Sequence, residues 1–196
     1  ILGRIGEVNV WDFVNDNPGI GVPPDSDPPP ELDWDFWLSP TPKTPYNENR
    51  YLHHYWFFNY GGGWTTDWAV HHYDIVQWAM GARGPLTACG GGGNYCFEKD
   101  NREWPDTFNG ILEYGPCPMA ERGFSVQYTC RMGARRDFRA HCKCFFGSEA
   151  SLILDRSGYT ITPEPRKKGE EESYRSPSDA SHQQAFLNAI RDRKQP

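Results

Sequence analysis

The spacing of apolar residues predicts that β-strands make up much of the chain. Residues 3–15 alternate apolar and polar side chains, which is typical of a half-buried strand. A series of similar runs follows Gly81, with short turns and no helix between them. These runs cover residues 85–90, 107–114, 123–132, 138–146, 150–155 and 158–163. Successive strands joined by short turns pair antiparallel, so we expect a largely antiparallel sheet.

The alternation also predicts which face of this sheet is buried. In residues 123–132, the side chains of Phe124, Val126, Tyr128 and Cys130 point to the same face. One face should therefore pack against the core, while the other is open or used for association.

Two segments have helical spacing instead. Residues 64–80 predict a helix that is apolar around most of its circumference and therefore largely buried. The C-terminal segment "SPSDASHQQAFLNAIRDRKQP" predicts a second helix, with Ser178 or Asp179 as its N-cap and a stripe of Phe186, Leu187 and Ile190. The expected fold is a single α+β domain over residues 1–196, in which helices pack on one face of an open-faced antiparallel sheet.

Residues 16–50 form a proline-rich segment with no sustained periodicity. Its aromatic residues indicate a loop that is pinned to the domain, as functional loops over a site commonly are. Trp34 and Trp37 lie three residues apart beside carboxylates, an arrangement that could stack on a sugar ring. Anchoring of the loop explains the same two residues equally well.

Composition and charge narrow the function classes. The net charge is −6, and the basic run 166–168 is followed at once by the acidic run 170–172, so we expect no nucleic-acid partner. No apolar stretch reaches about 18 residues, and no signal peptide is visible, so we expect a cytoplasmic protein without a membrane span. The six cysteines include no CxxC pair, which favours ordinary reduced thiols.

The helix at 64–80 carries an unusual polar stripe. Asp67 and His71 are four residues apart, and Asp74 and Trp78 continue the same face. His71 could be a proton acceptor that Asp67 orients. Alternatively, it could be a structural histidine whose polar ring atoms are paired with the carboxylates of Asp67 and Asp74. His72 points about 100° away and is expected to be structural. The three glycines before the helix (61–63) match no phosphate-binding motif and indicate a close backbone approach.

Four sequence segments together resemble one known family. They are "GGGWTTDWAVHHYDIVQWAMG" (61–81), "PPPELDWDFWLSPTPKTPYN" (28–47), "FFGSEASLILDRSGYTITPE" (145–164) and "HQQAFLNAIRDRKQP" (182–196). Their motifs and order are similar to those of the C-terminal domain of the Gfo/Idh/MocA oxidoreductases, relatives of glucose–fructose oxidoreductase and inositol dehydrogenase. The resemblance covers nearly the whole chain, and one departure is Ser39 where the family usually has glycine.

The resemblance implies a substrate-binding and catalytic domain that acts on a sugar, a sugar derivative or a cyclitol by hydride transfer. Asp67 and His71 match the family's catalytic pair, and we assign substrate binding to Trp34, Trp37, His54 and Asp74. NAD or NADP would bind mainly to an N-terminal Rossmann domain that this chain does not contain, so no cofactor-binding residue is expected here.

The family's catalytic lysine belongs to an E-K-P motif that the chain also lacks. We therefore expect a fragment of a longer two-domain protein that is inactive alone and that associates into a homo-oligomer through the open sheet face.

Two other functions remain open from the sequence. The chain could be a stand-alone carbohydrate-binding or oligomerisation module. It could also be a metal-dependent sugar lyase or hydrolase that uses His53, His54 and His71, with Asp67 and Asp74 as further ligands. The spacing matches no established metal motif, so we expect no metal site.

Overall fold

The computed structural model describes residues 1–16, 18–135, 139–176 and 180–195. Within these ranges, five helices and one 3-10 turn lie among eight strands. In chain order the helical elements are α1 (Trp34–Leu38), α2 (Glu48–Leu52), the 3-10 turn (His54–Trp56), α3 (Trp64–Asp67), α4 (Ala69–Met80) and α5 (Ala180–Asp192). The strands are β1 (Ile5–Phe13), β2 (Thr87–Gly93), β3 (Thr107–Tyr114), β4 (Phe124–Arg131), β5 (His141–Gly147), β6 (Ala150–Asp155), β7 (Gly158–Pro163) and β8 (Glu172–Arg175).

All eight strands form one sheet, in the order β2-β3-β4-β1-β5-β6-β7-β8. Every neighbouring pair is antiparallel except β1 and β4, which run parallel, with Val8 opposite Val126. The α+β fold with a largely antiparallel open sheet is thus confirmed. The short edge strand β8 was not predicted, because its residues are all exposed and carry no apolar alternation.

The core lies between α3–α4 and one face of the central strands. Val8 and Val10 of β1 and Val126 and Tyr128 of β4 are buried, as the alternation predicted. Complete burial of an aliphatic side chain of this size contributes roughly 1.5–3 kcal/mol. The buried side chains of these central strands therefore form the surface against which the helix packs.

The prediction that helix 64–80 is buried around most of its circumference was wrong. Helix α4 buries Ala69, Val76 and Met80, whereas Trp78 is 82% exposed. A single sheet can cover only one face of a helix, so the polar stripe lies on the open side. The segment is also two helices, because α3 ends at Asp67 and α4 begins at Ala69.

The proline-rich segment is pinned, as its aromatic residues predicted. Trp34, Leu38 and Tyr46 form a second small core. The buried side-chain amide of Asn49 donates hydrogen bonds to the carbonyl oxygen of Ile20 at 2.8 Å and to that of Gly21 at 3.2 Å. These contacts tie the start of the segment to α2.

The C-terminal helix α5 confirms the helical prediction for the tail, although Ser178 and Asp179, its proposed N-caps, lie outside the described residues. The three apolar residues of its stripe, Phe186, Leu187 and Ile190, are exposed. Within the described ranges, no helix is long and apolar enough to cross a membrane.

Candidate active site

Glycines shape the entrance to the helices that carry the predicted catalytic pair. Gly63 has φ +62° and ψ −164°, a conformation that side-chain-bearing residues rarely adopt. A Cβ atom on Gly63 would lie 2.8 Å from the Cβ of Trp104. The Trp104 indole also donates a hydrogen bond to the carbonyl oxygen of Gly61 at 2.6 Å. The glycine run therefore allows the chain to turn tightly against Trp104 before α3 begins.

The helix positions the predicted pair on its exposed side. Asp67 ends α3 and His71 lies in the first turn of α4, and both side chains are exposed. The ring of His71 contacts the ring of Trp68 edge-on, with centroids 6.0 Å apart. The structure shows no hydrogen bond between the side chains of Asp67 and His71, and Asp67 acts electrostatically on Tyr55 instead.

A cavity of about 510 Å³ lies beside His71. Its walls come from the helix on one side and from β5, β6 and the β6–β7 turn on the other. The lining residues are Trp68, His71, His72, Asp74, Ile75, Ala140, His141, Lys143, Leu154, Asp155, Arg156 and Ser157. The structure thus brings His71 and Asp74 together at one cavity, whereas Asp67 is not part of its lining.

The wall of this cavity contains a polar cluster that the sequence patterns did not predict. His72 Nε2 lies 2.8 Å from Asp12 Oδ1, and His141 Nδ1 lies 2.7 Å from the same oxygen. The hydroxyl of Tyr128 donates a hydrogen bond to Asp12 Oδ2 at 2.9 Å. Asp12 and His72 are almost completely buried, and the His141 side chain is 33% exposed.

Four elements, β1, β4, β5 and α4, bring this cluster together. Asp12 and His141 are directly opposite each other in the β1–β5 pairing, and His72 comes from the buried side of α4. The His141 ring stacks on Trp68 with centroids 4.2 Å apart. A signal for Asp12 does exist in the sequence, since this polar residue continues the buried face of Val8 and Val10.

Burial and hydrogen bonding have opposite effects on the pKa of Asp12 and on the pKa of His72. Burial favours the neutral acid and would raise the pKa of Asp12, but hydrogen bonds from His141, His72 and Tyr128 outweigh it and lower that pKa. Burial lowers the pKa of His72 despite the nearby carboxylate. The arrangement therefore holds an ionised Asp12 beside a neutral His72.

The remaining predicted residues lie in the second small core or at its edge. Trp34 and Trp37 stack on each other with centroids 4.6 Å apart, and Trp37 also contacts the ring of Tyr60. His54 is exposed and contacts Trp37 edge-on, with centroids 6.4 Å apart. None of these three predicted substrate contacts lines the 510 Å³ cavity. They fit the anchoring of the proline-rich segment, and their assignment to substrate binding stays a prediction.

The glycine run 61–63 does not form a phosphate-binding turn. The glycines at 61–63 follow a 3-10 turn rather than a strand, and the space beside Gly63 is filled by Trp104. A phosphate-binding turn needs a strand before it, a helix after it and free backbone N–H groups. All six cysteines are free thiols.

A family model and several solved structures match this chain. A family model described as "Oxidoreductase family, C-terminal alpha/beta domain" matches residues 10–86. No curated protein matches the chain. Among solved structures, the UDP-N-acetylglucosamine 3-dehydrogenase of Acidithiobacillus ferrooxidans has a TM-score of 0.52 at 14% identity, over 98% of this chain and 47% of that one.

Two further solved structures share the fold over 100% of this chain. Levoglucosan dehydrogenase in complex with NADH and levoglucosan has a TM-score of 0.54 at 14% identity and is covered over 52% of its length. A super-repressor mutant of Gal80p from Saccharomyces cerevisiae has a TM-score of 0.55 at 12% identity and is covered over 47%. The chain thus spans about half the length of the structures it matches. The family match and the shared fold confirm the predicted resemblance to the C-terminal domain of the Gfo/Idh/MocA oxidoreductases.

Proposed function

We propose that the chain is the substrate-binding and catalytic domain of an NAD(P)-dependent oxidoreductase that acts on a sugar, a sugar derivative or a cyclitol. The observation that carries this proposal is the position of His71, which lines the same 510 Å³ cavity as Asp74 and Lys143. A volume of this size suits a small molecule. Imidazole, carboxylate and ammonium groups around one cavity suit a substrate with many hydroxyls.

His71 has the chemistry of a general base at this cavity. Imidazole is the side chain whose ordinary pKa is nearest to neutral pH, so it accepts a hydroxyl proton readily. Asp74, one helical turn further along, can accept hydrogen bonds from neighbouring hydroxyls. Asp67 lies outside the lining, and we propose that it orients His71 or the substrate once the site is complete.

The redox chemistry of the proposed reaction belongs to a nicotinamide, which would be bound mainly by a domain outside this chain. The setting of the glycine run 61–63, which follows a 3-10 turn rather than a strand, supports this proposal. The proposal also agrees with the names of two structural neighbours, which are dehydrogenases of UDP-N-acetylglucosamine and of levoglucosan, the latter in complex with NADH. Both of those substrates are sugars, and the sugar specificity of this chain is inferred by analogy.

The test is a substrate screen with the protein together with any adjoining cofactor domain. Sugars and cyclitols are offered with NAD⁺ or NADP⁺, and reduction of the nicotinamide is followed by absorbance. We expect at least one sugar to be oxidised, and we expect His71→Ala to lower kcat by about 10²–10⁴-fold. His53→Ala is the matched control, since His53 lies outside the cavity. Unchanged turnover in His71→Ala would refute the assignment of His71.

The same screen separates the competing functions. Saturable sugar binding without any nicotinamide reduction would favour a binding module. The 196-residue chain alone should bind NAD(H) only weakly. Tight binding by this chain would contradict the proposal that the cofactor is bound mainly by another domain.

A further inference from the structure

The cluster in the cavity wall has the composition of a metal site. Two imidazole nitrogens, His72 Nε2 and His141 Nδ1, converge on a single carboxylate oxygen of Asp12 at 2.8 and 2.7 Å. Each side chain offers one ligand atom, and the three ligand atoms lie within 4.8 Å of one another. Two histidines and one carboxylate are a donor set that first-row divalent transition metals prefer.

Burial of the Asp12 carboxylate without a direct ion pair to lysine or arginine also favours a cation at the cluster. Asp12 is completely buried, and among the described residues no lysine or arginine forms an ion pair with it. Its hydrogen-bond partners are a tyrosine hydroxyl and two imidazoles. Buried carboxylates are costly unless they are paired with a positive charge or coordinate a metal.

The geometry requires little rearrangement to hold an ion. Metal–nitrogen and metal–oxygen bonds of about 2.1 Å place neighbouring ligand atoms about 3.0 Å apart in an octahedron and about 3.4 Å apart in the tetrahedron that Zn²⁺ prefers. The two measured nitrogen–oxygen distances, 2.8 and 2.7 Å, are shorter, so the side chains would move apart by about 0.2–0.7 Å on binding. Tyr128 already holds the other carboxylate oxygen at 2.9 Å, which leaves Oδ1 as the ligand atom.

The cluster is also accessible from one side. His72 and His141 both line the 510 Å³ cavity, and the His141 side chain is one-third exposed. An ion bound to these residues would therefore have open coordination positions on the cavity side. Hydroxyl or carbonyl oxygens of a molecule in the cavity could occupy them.

We propose that Asp12, His72 and His141 bind one first-row divalent transition-metal ion, such as Zn²⁺ or Co²⁺, in the wall of this cavity. The site differs from the set considered from the sequence, which used His53, His54 and His71. It also differs from the expectation of no metal site. The proposal does not depend on oxidoreductase activity, because metal binding can be measured without a substrate.

The experiment is a metal titration of the purified, chelator-treated protein. Isothermal titration calorimetry with Zn²⁺ measures stoichiometry and affinity, and visible absorption after addition of Co²⁺ reports the ligand geometry. We expect one equivalent of either metal to bind. Asp12→Asn keeps a hydrogen-bond acceptor but removes the charge, and His141→Gln removes one ligand. Each should weaken binding by about 100-fold or more, and Tyr128→Phe by about 10–100-fold.

His71→Ala is the matched control, since it removes an imidazole from the same cavity that is not one of the three proposed ligands. Its metal affinity should equal that of the parent protein. Circular dichroism of each variant without metal checks folding. If a ligand variant does not fold, X-ray absorption at the zinc edge of the parent protein identifies the ligands instead. We expect two imidazole ligands on the bound zinc. Absence of stoichiometric binding, unchanged affinity in Asp12→Asn and His141→Gln, or loss of binding in His71→Ala would overturn the proposal.

Discussion

Replacing Gly63 with alanine tests how the backbone before α3 is held. Gly63 has φ +62° and ψ −164°, a region that is essentially restricted to glycine and costs other residues about 1–3 kcal/mol. The new methyl group would lie 2.8 Å from the Cβ of Trp104, and overpacking against a fixed side chain costs about 1–3 kcal/mol more. The Trp104 side chain cannot retreat easily, because its indole is hydrogen-bonded to Gly61. The expected total destabilisation is therefore about 2–6 kcal/mol.

Urea denaturation followed by tryptophan fluorescence measures this change, and a thermal scan should show Tm lowered by roughly 5–20 °C. Gly91→Ala in β2 is the matched control, because Gly91 has an ordinary φ and no atom within 4 Å of the added Cβ. It should leave stability unchanged or raise it by up to about 1 kcal/mol. A loss below about 1 kcal/mol in Gly63→Ala would refute the assignment of strain and close contact to this glycine.

Three further substitutions test contacts that support the cavity and the proline-rich segment. Asn49→Ala should cost about 1–3 kcal/mol in the free energy of unfolding and speed limited proteolysis of the proline-rich segment, because it removes the amide donor that holds this segment. Tyr128→Phe should cost about 1–3 kcal/mol in urea denaturation, since one oxygen of buried Asp12 loses its hydroxyl donor. Trp37→Ala should lower stability by about 2 kcal/mol, because Trp37 stacks on Trp34. A change in sugar affinity without a change in Tm would instead assign Trp37 to substrate binding.

The fold was predictable from the sequence where local pattern dominates. The alternation in residues 123–132 identified β4 and its buried face, and the glycine run together with Gly81 marked the ends of the helical region. The family motifs then directed attention to His71, which does lie at the cavity.

The parts that could not be predicted depend on long-range pairing. Asp12 and His141 are far apart in the sequence and meet only because β1 lies beside β5. The parallel alignment of β1 with β4 has no local signature either. The exposure of Trp78 was missed because apolar content alone does not tell which helix face the sheet covers. The site therefore combines a motif that is readable from the sequence with a cluster that only the tertiary structure assembles.

The central position of β1 has a consequence for how the chain folds. Strands β2–β4 form one meander and β5–β8 form another, each through pairings between neighbours in the sequence. The two meanders are joined within the sheet only through β1, which precedes both of them in the sequence and pairs with segments from much later in the chain. Closing such long loops is slow, so the two meanders should form early and β1 should enter between them last. Because Asp12 lies on that strand, the polar cluster would be completed only in the final step of folding.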